Sequence, residues 1–128
     1  MTQINFIGMQ MKTTATINIM EDFSYIPSGR TRDDGPYSAE AFRDDILIEA
    51  LYKFDKVFLE LDDVHGYASS WFHEVFTDLP KLSNLSLDEM REHLEIVTVD
   101  DAYKMEIWEY ISGISPEDED SLKVAMGL

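Results

Sequence analysis

The stretch KVFLEL, residues 56–61, follows a charged break and is itself almost continuously apolar. Six residues are too few for a buried helix, so the run predicts a short strand buried on both faces, as in a parallel sheet. What flanks it constrains the fold further. Upstream, SAEAFRDDILIEALYKF, 38–54, spaces Phe42, Ile46, Ala50 and Phe54 four residues apart, with Leu47 and Leu51 beside them. That is one wide apolar stripe on a helix. Ser38 stands where an N-cap belongs, and Glu40 falls in the first turn, where the helix dipole favours an anion. Downstream, SSWFHEVFTDL carries Trp71, Phe72, Val75, Phe76 and Leu79 at amphipathic spacing and is ended by Pro80.

The same alternation continues along the chain. TTATINIM, 13–20, and LEIVTV, 94–99, have the β-branched content of strands. Ser86 and Glu89 match a capping box and open a helix over LDEMREH. DDAYKMEIWEYI sets Ala102, Met105, Trp108 and Ile111 nearly in line, with Asp100 or Asp101 as cap. The predicted order is β-α-β-α-α-β-α, an α/β fold with a mixed or parallel sheet of about four strands packed against helices. INFIGMQM near the start is a candidate extra edge strand. One domain is expected over 1–128, with its core at 13–112 and an acidic tail at 113–128.

Functional loops of such sheets gather at the carboxyl ends of the strands. Two loops qualify, 21–37 and 62–70. The first contains GRTRDDGPY, and with Arg43 it brings three of the ten basic residues into fourteen positions. Guanidinium groups at Arg30, Arg32 and Arg43 suit a bidentate anion or phosphate. They equally suit internal pairing with Asp33, Asp34, Asp44 or Asp45. Asp34-Gly35-Pro36 is turn chemistry. The second loop ends in Ser69 and Ser70, directly before the apolar helix. A hydroxyl there can cap the helix, carry a phosphate that the helix N-terminus favours, or contact a partner. Trp71 belongs either to the core or to a binding surface as its anchor.

The chain carries 26 acidic against 10 basic residues, a net charge of −16. That field repels phosphates, so direct binding of nucleic acid or of an anionic membrane is not expected. The charge serves solubility, steers a basic partner, or imitates nucleic acid in a basic groove. With no cysteine, thiol chemistry and disulfides are excluded. No apolar run approaches the roughly 20 residues of a membrane span. The start of the chain lacks a signal-peptide pattern, and a cytoplasmic protein is expected. His65, His73 and His93 have no metal-ligand spacing, and there is no P-loop, dinucleotide fingerprint or nucleophile elbow. Neither cofactor, metal nor catalysis is expected.

KVFLELDDVHGYASSWFHEVF resembles the core of the STAS domain, the fold of sulfate transporters and anti-sigma factor antagonists, in which a hydrophobic strand runs through a turn and a serine pair into a helix. GRTRDDGPYSAEAFRDDIL, 29–47, resembles the bacterial STAS-like family, with its arginine-rich Asp-Gly-Pro loop before a serine-capped helix. Together the two stretches span roughly residues 14 to 80. The resemblance implies a regulatory domain whose serine pair, Ser69 and Ser70, is a phosphoacceptor or docking point for a kinase-like ATPase partner. The chain departs from the STAS pattern at Ala68, where an aspartate usually stands, and at Trp71, where a glycine does. The expected partner-binding residues are therefore Ser69 and Ser70, the loop residues Arg30, Arg32, Asp34 and Ser38, and Arg43, with Trp71 as anchor. The alternative expectation is an acidic inhibitor, phage-encoded, that occupies the basic groove of a nucleic-acid-handling protein. Oligomeric state is left open.

Overall fold

The computed structural model of the chain describes residues 13–113. INFIGMQM and the tail beyond Gly113 lie outside the described residues. Within them, β1 (Thr14–Asn18), β2 (Lys56–Glu60) and β3 (Leu94–Val97) form a parallel sheet in the order β1-β2-β3. The expected parallel α/β architecture is present, with three strands among the described residues rather than about four.

Both crossovers step the same way across the sheet. Right-handed connections then place their helices on one face. The register agrees. Ala15, Val57 and Leu94 form one cross-strand row, and Ile17, Leu59 and Ile96 the next. All of these except the half-buried Ala15 are core residues beneath the helices. The intervening rows, Thr16-Phe58-Glu95 and Asn18-Glu60-Val97, face the other way and are half-buried or exposed. So β2 is not buried on both faces, which corrects the reading of its apolar run. Lys56 bridges to Glu95 at 3.6 Å, and Asn18 Nδ2 donates to Glu60 Oε1 at 3.1 Å, so the second face is partly tied by polar cross-strand pairs.

The first crossover begins with a short α1 (Ile19–Asp22) and returns as α2 (Ala39–Phe42), a π turn (Arg43–Leu47) and α3 (Ile48–Lys53), which run on as one helical segment. Buried Ser38 caps it, its hydroxyl accepting from the Ala41 N–H at 3.2 Å. The π turn inserts a residue into the helical repeat. As a result Phe42 and Leu47, five apart, both reach the core, while Ile46 and Phe54 are only half-buried. The second crossover contains α4 (Ser69–Phe76), α5 (Leu79–Ser83) and α6 (Leu87–His93). Pro80 does not simply end the helix: it sits in the first turn of α5, where its missing N–H costs nothing. Ser86 and Glu89 form the expected capping box of α6. After β3, α7 (Asp101–Ser112) packs against α4, capped by Asp100, whose carboxylate accepts from the Ala102 and Tyr103 N–H groups.

Candidate functional site

Three connections meet at the carboxyl end of the sheet: the long segment between α1 and α2, the β2–α4 loop and the β3–α7 loop. One main-chain bond joins the first two, and two more close the long segment on itself. His65 N donates to Tyr25 O at 2.9 Å, Ser28 N to Tyr37 O at 3.1 Å, and Ala39 N to Gly29 O at 2.9 Å. The rings of Tyr25 and His65 lie 5.9 Å apart.

Helix α4 supplies the serine pair. Its inner face, Trp71, Phe72, Val75 and Phe76, is wholly buried. That burial sets the helix rotation and leaves Ser69 and Ser70 exposed at the rim. Neither serine is the cap: Ala68 occupies the N-cap position and has no side-chain acceptor to offer. The capping role expected for a serine here is therefore absent, and among the described residues neither hydroxyl has a hydrogen-bond partner; both stand in the first turn beside backbone N–H groups that attract an anion.

The long segment, tied to α4 by the Trp71 indole N–H that donates to Tyr37 O and to the β2–α4 loop by the His65–Tyr25 bond, carries exposed apolar side chains that the sequence reading did not single out. Tyr25 is 54%, Ile26 53% and Tyr37 48% exposed. The sequence signal was three large apolar residues inside a proline- and glycine-rich loop, where no periodicity assigns them to a core.

Burial corrects three of the expected contact residues. Trp71 is 1% exposed, its indole N–H donating to Tyr37 O at 3.3 Å and its ring packed against Phe42, Tyr67, Phe23 and Phe72. It belongs to the core and is no surface anchor. Ser38 is 0% exposed and acts as the cap described above. Arg43, 9% exposed, joins the π turn to α4: Nη1 donates to Glu74 O at 3.0 Å and to Glu74 Oε2 at 3.1 Å, and Nε to Asp44 Oδ1 at 2.8 Å.

The exposed arginines are also engaged within the chain. Arg32 grips Asp45 bidentately at 2.9 and 2.8 Å, and Arg30 lies 3.8 Å from Glu74 Oε1. This is the pairing alternative for the loop, and it tethers the segment rather than leaving an open anion clamp. Asp34 locks the turn from inside. Its Oδ2 accepts from the Arg30 and Thr31 N–H groups at 2.9 and 3.0 Å. Gly29 and Gly35 take positive φ there, and a Cβ at Gly29 would come within 2.6 Å of the Asp34 Cβ.

Those backbone bonds, chiefly from Thr31 and then Arg30, hold the Asp34 carboxyl below the usual carboxylate range. A carboxylate so depressed contributes stability above its unfolded value and loses it as pH falls through the folded value. The Arg30 and Thr31 amide resonances are therefore expected to titrate with a midpoint below the ordinary Asp range, and Asp34→Asn to abolish that titration. A midpoint at the ordinary value would contradict the turn lock.

On the other side of the β2–α4 loop, Leu61, Asp62, Asp63, Val64, Tyr67, Val99, Asp100 and Tyr103 line an open cleft of about 480 Å³. Tyr67 donates its hydroxyl to Leu61 O at 2.7 Å. Burial first, then the neighbouring Tyr103 and Asp62, pushes this phenol well up, so it remains a neutral donor. Asp62 draws the end of β3 inward, accepting from Thr98 Oγ1 at 2.8 Å and from the Val99 N–H. This is why the strand stops at Val97 rather than running to Val99. Among the described residues no three His, Cys, Asp or Glu side chains converge as a metal-binding group, and no helix is long and apolar enough to cross a membrane.

A parallel sheet with its crossover helices on one face, and an exposed serine pair opening the helix after the middle strand, defines an α/β domain of STAS-like type. The chain belongs to the family described as STAS-like domain of unknown function (DUF4325), which matches residues 38–104. The match begins at the Ser38 cap, includes Ser69 and Ser70, and ends in the first turns of α7; β1 and the Arg30–Asp34 turn lie before it. No curated protein and no solved structure matches the chain.

Proposed function

We propose that this chain is a non-enzymatic regulatory domain that docks a partner protein at the carboxyl end of its sheet. The contact surface is the start of α4, Ser69 and Ser70, together with Tyr25, Ile26 and Tyr37. The observation that carries the reading is the serine pair itself: exposed, without a capping duty, and held on a helix whose opposite face is locked in the core. Two exposed hydroxyls on a rigid helix start, with half-exposed aromatic and aliphatic side chains on the loop that the same helix holds through Trp71 and Tyr37, suit a small amphipathic docking point. By analogy with anti-sigma factor antagonists, the partner is a kinase-like ATPase, and phosphate on Ser69 or Ser70 is the switch.

The test is a pull-down with Ser69→Asp and Ser70→Asp. Aspartate in the first turn of a helix is electrostatically favourable, so the variants keep their fold. At least one of them is expected to weaken partner capture about tenfold or more, as a charge placed in a desolvated contact should, and Tyr25→Ala with Ile26→Ala to do the same. Unchanged capture by all of these variants would remove the surface from consideration. The net charge of −16 favours one competing reading, an acidic decoy for a basic groove. Capture by charge alone weakens steeply with salt, whereas capture through Tyr25 and Ile26 weakens little.

A further inference from the structure

Ser69 and Ser70 are neighbours in sequence but not in surroundings. Successive helix residues are turned by about 100°, and each side chain leans over the turn before its own. One turn along from Ser70 stands Glu74, and one turn along from Ser69 stands His73. Glu74 is held in place. Its Oε2 and its main-chain carbonyl both accept from Arg43 Nη1, at 3.1 and 3.0 Å. Its other oxygen, Oε1, lies 3.8 Å from Arg30 Nε. The Arg30 guanidinium is thereby brought to the stretch of α4 that carries the Ser70 hydroxyl.

Arg30 is committed differently from the other two arginines of its region. Arg32 makes two hydrogen bonds to Asp45, and Arg43 is buried. The Arg30 guanidinium, 60% exposed, makes no hydrogen bond among the described residues, only the long contact with Glu74. Its main chain, by contrast, is fixed on both sides. The N–H donates to Asp34 Oδ2 at 2.9 Å, and the carbonyl accepts from the Glu40 N–H at 3.0 Å. So the side chain can change partner without moving its turn. A phosphate ester is the stronger partner, since it brings nearly two negative charges and three oxygens that a guanidinium grips bidentately.

We propose that Arg30 holds the phosphate on Ser70, swinging from Glu74 to the phosphoryl oxygens, and that Ser70 rather than Ser69 is the serine whose modification the fold retains. The inference rests on the phospho-switch reading above and assigns its position. The phosphoryl group comes from a nucleoside triphosphate bound by the kinase-like partner. The Ser70 Oγ–P bond forms as the bond to the nucleoside diphosphate breaks, and the hydroxyl proton passes to a base of that partner. Arg30 then offsets the like-charge repulsion between the new phosphate and Glu74, four residues on. A phosphate on Ser69 faces His73 instead and gains no guanidinium.

The experiment installs phosphoserine at position 70, or at position 69, during synthesis of the full chain, so it needs neither kinase nor partner. The ³¹P resonance is followed against pH in the otherwise unaltered chain and in Arg30→Gln. With phosphate at 70, the second ionisation is expected to lie lower in the chain with Arg30 than in Arg30→Gln by about half a pH unit or more, because a neighbouring cation favours the dianion. With phosphate at 69, the same comparison should differ by less than about 0.2. The Arg30 Nε–H resonance gives a reading without any substitution. It should shift on phosphorylation of Ser70 and stay in place on phosphorylation of Ser69. A midpoint at position 70 indifferent to Arg30→Gln, an unmoved Arg30 Nε–H, or equal effects at the two serines would overturn the proposal. Partner capture plays no part in these readouts. A failed pull-down therefore leaves the phosphate contact standing, and a failed titration leaves the docking surface intact.

Discussion

Trp71→Ala is expected to lower the unfolding free energy by about 3–5 kcal/mol, the loss typical of a large buried aromatic truncated to alanine. The indole is 1% exposed and touches rings from the α1–α2 segment, α2, the β2–α4 loop and α4 itself. Its N–H also holds the Tyr37 carbonyl, fixing the loop that presents Tyr37 and, through it, Ser28. Removing it opens a cavity beneath the proposed docking surface and releases that loop. A domain of this size is stable by only about 5–15 kcal/mol, so the variant should sit near the edge of folding. Urea denaturation followed by far-UV circular dichroism is the measurement. A loss below about 1 kcal/mol would place Trp71 at the surface, where the anchor reading requires it.

Arg43→Ala should cost about 2–3 kcal/mol, the range for charge-assisted hydrogen bonds in a part-buried setting. The guanidinium connects the π turn to both the main chain and the side chain of Glu74 on α4, and also holds Asp44. Among the described residues its loss leaves the Glu74 carboxylate only the 3.8 Å contact to Arg30. Arg43→Lys should recover less than half of the stability, because one ammonium cannot reach Asp44 and Glu74 in the same fork geometry. Arg43→Ala and Glu74→Gln together should cost less than the sum of the two, since they remove one shared interaction. An Arg43→Ala variant within about 0.5 kcal/mol of the parent would mean a solvent-facing arginine free to hold an external anion.

These two residues also show how far the sequence could be read. The apolar stripe of 38–54 announced a helix and Ser38 its cap, because both signals are local. The π turn was invisible: the spacing nominated Phe42, Ile46, Ala50 and Phe54 with Leu47 and Leu51 beside them, whereas the inserted residue leaves Ile46 and Phe54 half-buried and turns Arg43 inward. An arginine turned toward the core cannot be told by pattern from one turned outward, since its partner Glu74 lies thirty-one residues away.

The serine pair taught the reverse lesson. Serine preference for N-caps favoured a capping role, but the buried face of α4 fixes the rotation and start of the helix, and Ala68 fell at the cap. KVFLEL looked doubly buried because Phe58 is apolar. The one-sided crossovers leave Phe58 half-exposed between Thr16 and Glu95. The exposure of Tyr25, Ile26 and Tyr37 depends on where two loops meet, which no local pattern encodes.

The central claim is that the rim carrying Ser69, Ser70 and Ile26 is where another protein sits. Site-specific photo-crosslinking in cells tests it most directly, with the photoreactive residue in place of Ile26 or Ser70 and, as control, in place of Tyr52, which is 89% exposed near the end of α3. The account predicts one discrete protein adduct from positions 26 and 70, none from position 52, and loss of the position-26 adduct when Ser69→Asp or Ser70→Asp is added. The same adduct from position 52, or an adduct from position 26 indifferent to both aspartates, would contradict it.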